Sequence, residues 1–208
     1  MLDLGLCEVE RGKSLQVSWI GDNVQGHAID EQTGEIDETE GFGAFENVLE
    51  HYAVGSRVID IGGGAYDLNK AYIAHRYLLD CEVYDPFKRS VSDNQHVLSI
   101  SQKRPFNAAF SFSVLNVINS SEARLDHIRL CQKVLKVGGK AFFKVWPGDS
   151  SERAQATKNG YQNNRHLETY LEELKTVFGT ESVIFDEKLQ LVCAINRLEV
   201  STKGSMII

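Results

Sequence analysis

With 208 residues, 42% of them hydrophobic and 25% charged, the chain has an ordinary globular composition and the length for one sizeable core, which excludes disordered and fibrous classes. The net charge of −7, and a stretch from Ser14 to Ser56 without Lys or Arg, disfavour a phosphate-rich partner, so long duplex nucleic acid is not expected to bind. No apolar run approaches the roughly 20 residues that span a bilayer, and Met1 to Val9 lacks the basic and apolar regions of a signal peptide, so no membrane partner is expected and the cytoplasm is the expected location.

Along the chain, Ser14 to Trp19 and Gly26 to Ile36 have strand-like stretches, the second broken by a Thr33-Gly34 turn within the acidic run Asp30 to Glu40. Residues 1–40 are therefore set apart as an extension, and 41–208 as the main domain. Phe45, Val48, Leu49 and Tyr52 form the stripe of a short amphipathic helix. Arg57 to Ile61 is a compact strand running into three glycines, followed by a helical face of Leu68, Ala71, Tyr72, His75 and Leu79. Cys81 to Tyr84 is the next strand, stopped by Asp85-Pro86. A weaker strand is expected at Val97 to Ile100, ahead of Phe106 to Phe112, which is apolar enough for a central parallel strand covered on both faces.

Ser120 or Ser121 can cap a helix whose buried stripe is Leu125, Ile128, Cys131, Val134 and Leu135, ended by Gly138-Gly139 before a strand from Lys140 to Trp146. A polar stretch of about 20 residues comes next, and a connection of that length is usually functional or mobile. Leu167, Tyr170, Leu171, Leu174, Val177 and Phe178 mark the clearest helix, and Ser182 to Phe185 and Leu189 to Ile195 a closing hairpin. This alternation predicts an α/β fold, a Rossmann-like three-layer sandwich with a mostly parallel seven-stranded sheet closed by an antiparallel C-terminal hairpin. Cys7, Cys81, Cys131 and Cys193 stand far apart without a CxxC pair, and the histidines show no HxH or HExxH spacing, so no metal is expected.

The chemistry concentrates at Val58-Ile59-Asp60-Ile61-Gly62-Gly63-Gly64. Glycines between a buried strand and a helix let the backbone approach a ligand that a Cβ would block. Asp85, 21 residues beyond Gly64 and at the end of the next strand, can accept hydrogen bonds from ribose hydroxyls. A nicotinamide dehydrogenase shares both features, but its third glycine falls on Asp67 here, and a carboxylate at Asp60 is ill placed beside a pyrophosphate. A cationic sulfonium with a free amino group has the opposite need.

On these residues the segment from about Gly41 to Asn196 resembles the class I S-adenosylmethionine-dependent methyltransferases. Asp60 to Gly64 is similar to the family's first motif, with Tyr66 in place of its third glycine, and Tyr84-Asp85 to its second. The resemblance implies that Asp60 and Gly62, Gly63 and Gly64 hold the methionine part of the cofactor and Asp85 its ribose, with Ser99 and Ile100, after the third strand, at the adenine. Phe106 to Leu115 resembles the fourth strand, which places Ser113 among the cofactor contacts, and Val134 to Ala141 resembles the turn into the fifth.

The methyl acceptor is not identified. Asn116, Lys144, Trp146, Tyr161 and Gln162 are candidate acceptor-facing groups, Asn116, Lys144 and Tyr161 being weighed as catalytic. Lys144 is similar in placement to a catalytic lysine of RNA ribose 2'-O-methyltransferases, an alternative weakened by Ser113 where those enzymes have an aspartate. A fainter similarity, through Val114 to Ile118 and Tyr161-Gln162, is to methyltransferases encoded beside DNA phosphorothioation systems. A module that binds S-adenosylmethionine without turnover is the non-enzyme alternative.

Overall fold

The computed structural model describes residues 46–65, 67–157 and 160–198. The expected strands at Ser14 to Trp19 and Gly26 to Ile36, and with them the acidic run, lie outside these residues. In chain order the helices are α1 (Glu46–Leu49), α2 (Leu68–Tyr77), α3 (Val91–Lys103), α4 (Ser121–Lys133) and α5 (Leu171–Phe178). The strands are β1 (Arg57–Ile61), β2 (Asp80–Tyr84), β3 (Phe106–Phe112), β4 (Leu135–Lys144), β5 (Ala154–Thr157), β6 (Gly160–Asn163), β7 (Val183–Asp186) and β8 (Leu191–Ile195).

Six strands form the main sheet in the order β2-β1-β3-β4-β8-β7. β2, β1, β3 and β4 are mutually parallel, and β8 runs antiparallel between β4 and β7. Two apolar layers explain why β1 is buried at every residue. Val58, Phe110 and Phe142 pack on one face with Leu49, Tyr72 and Ile73 from α1 and α2. Ile59, Ala109 and Phe143 pack on the other with Val97, Ile128, Leu174 and Phe178 from α3, α4 and α5. From β1 the chain moves outward to β2, then returns across β1 to β3, so the strand order reverses at β1. In open α/β sheets a ligand binds beyond the strand ends at such a point.

The architecture is the expected three-layer α/β fold, with six described strands in the sheet rather than seven. The missing strand is the one expected at Val97 to Ile100, which lies inside α3. Its helix begins at a Ser90 cap with the Ser-x-x-Asp pattern of a capping box: the Asp93 N–H donates to Ser90 Oγ at 3.1 Å, and the Ser90 hydroxyl donates to the Asp93 carboxylate at 2.7 Å. Asn94, Val97 and Ser101 are then buried at helical spacing, so the local cap and the period of 3.6 prevail over the β-branched content of the segment.

Smaller departures have equally local causes. On α2 the buried pair is Tyr72 and Ile73, while Ala71 and His75 face solvent. Gly138-Gly139 does not end the preceding helix but lies within the opening of β4, where the register shifts against β3. A Cβ on Gly139 would stand 2.9 Å from the Lys136 carbonyl oxygen and 3.1 Å from that of Phe106, so this close passage of chains needs glycine. The polar stretch after β4 folds partly into the β5-β6 hairpin, a small sheet of its own. The expected helix at Leu167 starts as a tight 3-10 turn, Leu167–Tyr170, before α5.

Two polar contacts fix α4, one to α5 and one to the sheet. Arg124 on α4 holds Glu173 on α5 through bonds of 2.8 and 2.7 Å, donates to the carbonyls of Ile118 and Asn119, and is almost wholly buried. Removing the carboxylate would leave a buried guanidinium without its counter-charge. Glu173→Ala is therefore expected to lower the unfolding free energy by about 3 kcal/mol, read as a fall in the urea midpoint with unchanged slope.

The second contact is Ser111 Oγ on β3 with His127 Nε2 on α4, 2.7 Å apart. Burial lowers the His127 pKa to about 4. A base whose folded pKa is depressed takes up more protons when unfolded, so this residue makes stability fall as pH drops from about 6.5 towards 4, by at most about 3 kcal/mol. His127→Gln is expected to flatten that acid limb in urea titrations between pH 7 and 4. An unchanged pH profile would mean that His127 is not the titrating group.

Candidate functional site

The turn after β1 is built so that only glycine fits its middle. A Cβ on Gly63 would lie 2.4 Å from Asp60 Oδ2 and 2.7 Å from Val83 Cγ1, inside both side chains. Gly62 and Gly64 flank it with φ of 91° and 80°. Asp60 is buried beneath the turn, 2% exposed. Burial, and then the charge of Asp60, push the neighbouring Cys81 thiol well above its ordinary pKa, so Cys81 is a neutral packing group here.

The segment after β2 grips this turn. Gly62 N–H donates to the Tyr84 carbonyl at 2.7 Å, and Gly64 N–H donates to Asp85 Oδ2 at 3.0 Å. The other oxygen, Asp85 Oδ1, accepts from the N–H groups of Phe87 at 2.9 Å and Lys88 at 3.0 Å. Asn94, at the start of α3, brackets the Asp85 backbone by accepting from its N–H at 3.0 Å and donating to its carbonyl at 2.8 Å. On the opposite side of the same turn, Arg89 Nε donates to the Gly64 carbonyl at 3.0 Å while Nη2 reaches Asp67 at 2.7 Å. Asp85 has no exposed surface. Its carboxylate already accepts three backbone hydrogen bonds, which makes it the latch between the end of β2 and the glycine turn.

The structure brings some expected site residues to this edge and leaves others away from it. Ser113 directly follows β3, its N–H donating to the Lys144 carbonyl at 2.9 Å, so the carboxyl ends of β3 and β4 lie together. It has a φ of 55°, a strained value for a side-chain-bearing residue, and its buried hydroxyl has no hydrogen-bond partner among the described residues. Lys144 is half-buried, and burial lowers its pKa. Asn116, in the 3-10 turn Leu115–Val117, donates to Gln162 Oε1 of β6 at 3.2 Å, and Gln162 Nε2 donates to the carbonyls of Trp146 and Asn163. Tyr161 is half-buried on the same hairpin, and the Trp146 side chain is exposed. Ser99 and Ile100 were expected after a strand that does not form. They lie in the last turns of α3, Ser99 exposed and Ile100 half-buried, so the reason for placing them at an adenine is gone.

Sequence reasoning missed Arg89, Asn94 and the β5-β6 hairpin. The capping box at Ser90 could have revealed the start of α3 and so placed Asn94 beneath Asp85; Arg89 carried no signal of its own. Among the described residues no cluster of His, Cys, Asp and Glu is arranged to hold a metal, and no helix is long and apolar enough to cross a membrane.

Neither a protein-family model nor a curated protein matches the sequence. Solved structures that resemble the chain include several methyltransferases and a [4+2]-cyclase. A sugar N-methyltransferase from a Streptoalloteichus species is 10% identical, with 73% of this chain and 85% of that chain covered and a TM-score of 0.47. An O-methyltransferase family protein from Burkholderia thailandensis is 15% identical, with 73% and 55% covered and a TM-score of 0.49. Phosphoethanolamine N-methyltransferase 2 from Haemonchus contortus, solved with S-adenosyl-L-methionine, is 15% identical, with 64% and 35% covered and a TM-score of 0.43. The chain thus spans only about a third to a half of the last two. Likeness at this level leaves function to the chain's own residues.

The latch role of Asp85 has a direct consequence. In Asp85→Asn an NH2 group or a weaker neutral oxygen must face the N–H groups of Gly64, Phe87 and Lys88. The variant is expected to lose about 1 to 3 kcal/mol of stability with no ligand present, seen as a lowered melting temperature. An unaltered melting temperature would mean that the carboxylate is free to serve a ligand alone.

Proposed function

We propose that the protein is an S-adenosylmethionine-dependent methyltransferase acting on an acceptor that the glycine turn does not identify. The observation that carries this reading is the charge around the turn. A pyrophosphate cradle needs unpaired backbone N–H groups and few carboxylates. Here the N–H groups of Gly62 and Gly64 are already bonded, and the carboxylates Asp60, Asp67 and Asp85 border the turn, with Arg89 bonded to Asp67 and Lys70 near it. That environment disfavours a dinucleotide and suits a ligand with an amino group and a sulfonium.

Asp60 and the backbone of Gly62 to Gly64 fit the amino-acid end of such a cofactor, because the absent Cβ of Gly63 brings backbone and buried carboxylate together at one point. Asp85 could serve a ribose only through the lone pair of Oδ2 that Gly64 leaves unused. Bound there, S-adenosylmethionine would supply an activated methyl group, and the chain's task would be to align an acceptor with it and keep water away. Ser113, Asn116, Lys144 and the β5-β6 hairpin stand at the adjacent strand ends where an acceptor would enter.

Isothermal calorimetry is the decisive measurement. S-adenosylhomocysteine is expected to bind at micromolar levels, and NAD and NADP not measurably. A preference for either dinucleotide would reassign the chain to hydride transfer.

A further inference from the structure

The charge of the chain is divided unevenly. Residues 1–45 carry ten acidic and two basic side chains, so the net charge of −7 arises there and the remaining residues sum to +1. Six of the ten acids, Asp30, Glu31, Glu35, Asp37, Glu38 and Glu40, fall within eleven positions.

Among the described residues a positive face stands at the amino ends of two neighbouring strands, opposite the edge that carries the glycine turn. α3 ends at Lys103, with Arg104 directly after it and β3 beginning at Phe106. α4 ends at Lys133, and β4 begins at Leu135. The parallel register of Phe106 with Leu135 sets these two helix ends side by side, and Lys136 and Lys140 extend the row along β4. All five residues are exposed. None of them is in an ion pair among the described residues, whereas Arg57, Lys70, Arg89, Arg124, Arg129 and Lys175 each hold a carboxylate. Like charges gathered without interspersed acids repel one another and attract a polyanion.

The chain that carries the acidic run enters the fold beside this face. Tyr52, three residues past α1, and Cys193 on β8 pack against the same apolar cluster. Burial, and then the nearby Cys193, raise the Tyr52 pKa; burial raises that of Cys193 and the charge of Lys140 opposes it. Tyr52, Cys193 and Lys140 therefore lie in a row, with Lys140 paired to Ile195, two residues beyond Cys193 on β8. Glu40 stands six positions before Glu46, a tether of at most about 20 Å when extended.

We propose that the acidic run Asp30 to Glu40 docks on its own chain's basic face, with its carboxylates against Lys133, Lys136 and Lys140. The contact is electrostatic and lies away from the glycine turn, so it does not depend on the methyl-transfer reading. Docked there, the run neutralises the face and keeps it from other polyanions.

The test is zero-length carbodiimide cross-linking of the full-length protein, read by peptide mass spectrometry, since this reagent joins a carboxylate to an amine only where the two touch. Links are expected between residues 30–40 and Lys133, Lys136 or Lys140, with a yield that falls at least about 5-fold between roughly 20 mM and 1 M salt. A mixture of isotope-labelled and unlabelled protein is expected to show them within one chain. Lys136→Glu with Lys140→Glu should repel the run and remove the remaining links to Lys133. Adding Asp37→Lys, Glu38→Lys and Glu40→Lys should restore links in the opposite sense. Equal yields at Lys88 and Lys175, links only between copies, no links at low salt, or Lys133 links that survive the reversal would overturn the proposal. Should the reversed variants fail to fold, the distribution and salt dependence of the links in the unaltered protein decide.

Discussion

The peptide units around Gly64 are held from both edges, Asp85 accepting the Gly64 N–H and Arg89 donating to the Gly64 carbonyl. A left-handed glycine between a strand and a helix has wide backbone freedom, so without these contacts the turn would sample many shapes. Because both partners come from the segment after β2, the turn and that segment form one unit, and Asn94 extends it to the first turn of α3. The shape of any ligand cleft at this edge is set by this clamp, with the glycines supplying the closeness and the charged pair supplying the rigidity.

The clamp alters the meaning of the carboxylate most readily taken for a ligand contact. An acid at a strand end, about 20 residues past a glycine turn, meets a geometric need that the chain itself can also satisfy. Three backbone N–H groups converge on Asp85, and a fully buried carboxylate could not persist without them. Asp60 lies buried beneath Gly63, where no room is left for a side chain.

On the far side of the edge a different polarity prevails. The β5-β6 hairpin is anchored by neutral amides, with Gln162 bridging Asn116 and the Trp146 carbonyl. Carboxylates thus surround the turn, while neutral amides and the half-buried Lys144 stand at the adjacent strand ends. Arg124 and Glu173, which join α4 to α5, support these strand ends from behind through the carbonyls of Ile118 and Asn119 that follow the Asn116 turn.

Where apolar period and local chemistry agree, the sequence alone determined the outcome: β1, β2, β3, α4 and the closing hairpin lie close to where their patterns put them, and the glycine turn falls between β1 and α2. The three-layer plan follows from that alternation, because each strand buried on both faces requires a helix on either side. At Val97 to Ile100 the β-branched content misled, although the capping box at Ser90 and Asp93 was already written in the residues. Tertiary structure alone decided whose hydrogen bonds the polar side chains would make. Asp85 became a latch, Arg89 a clamp and Asn116 a partner of Gln162, because Gly64, Asn94 and Gln162 lie 9 to 46 positions from the groups they bond, and only the packed sheet ends bring them within 3 Å or so.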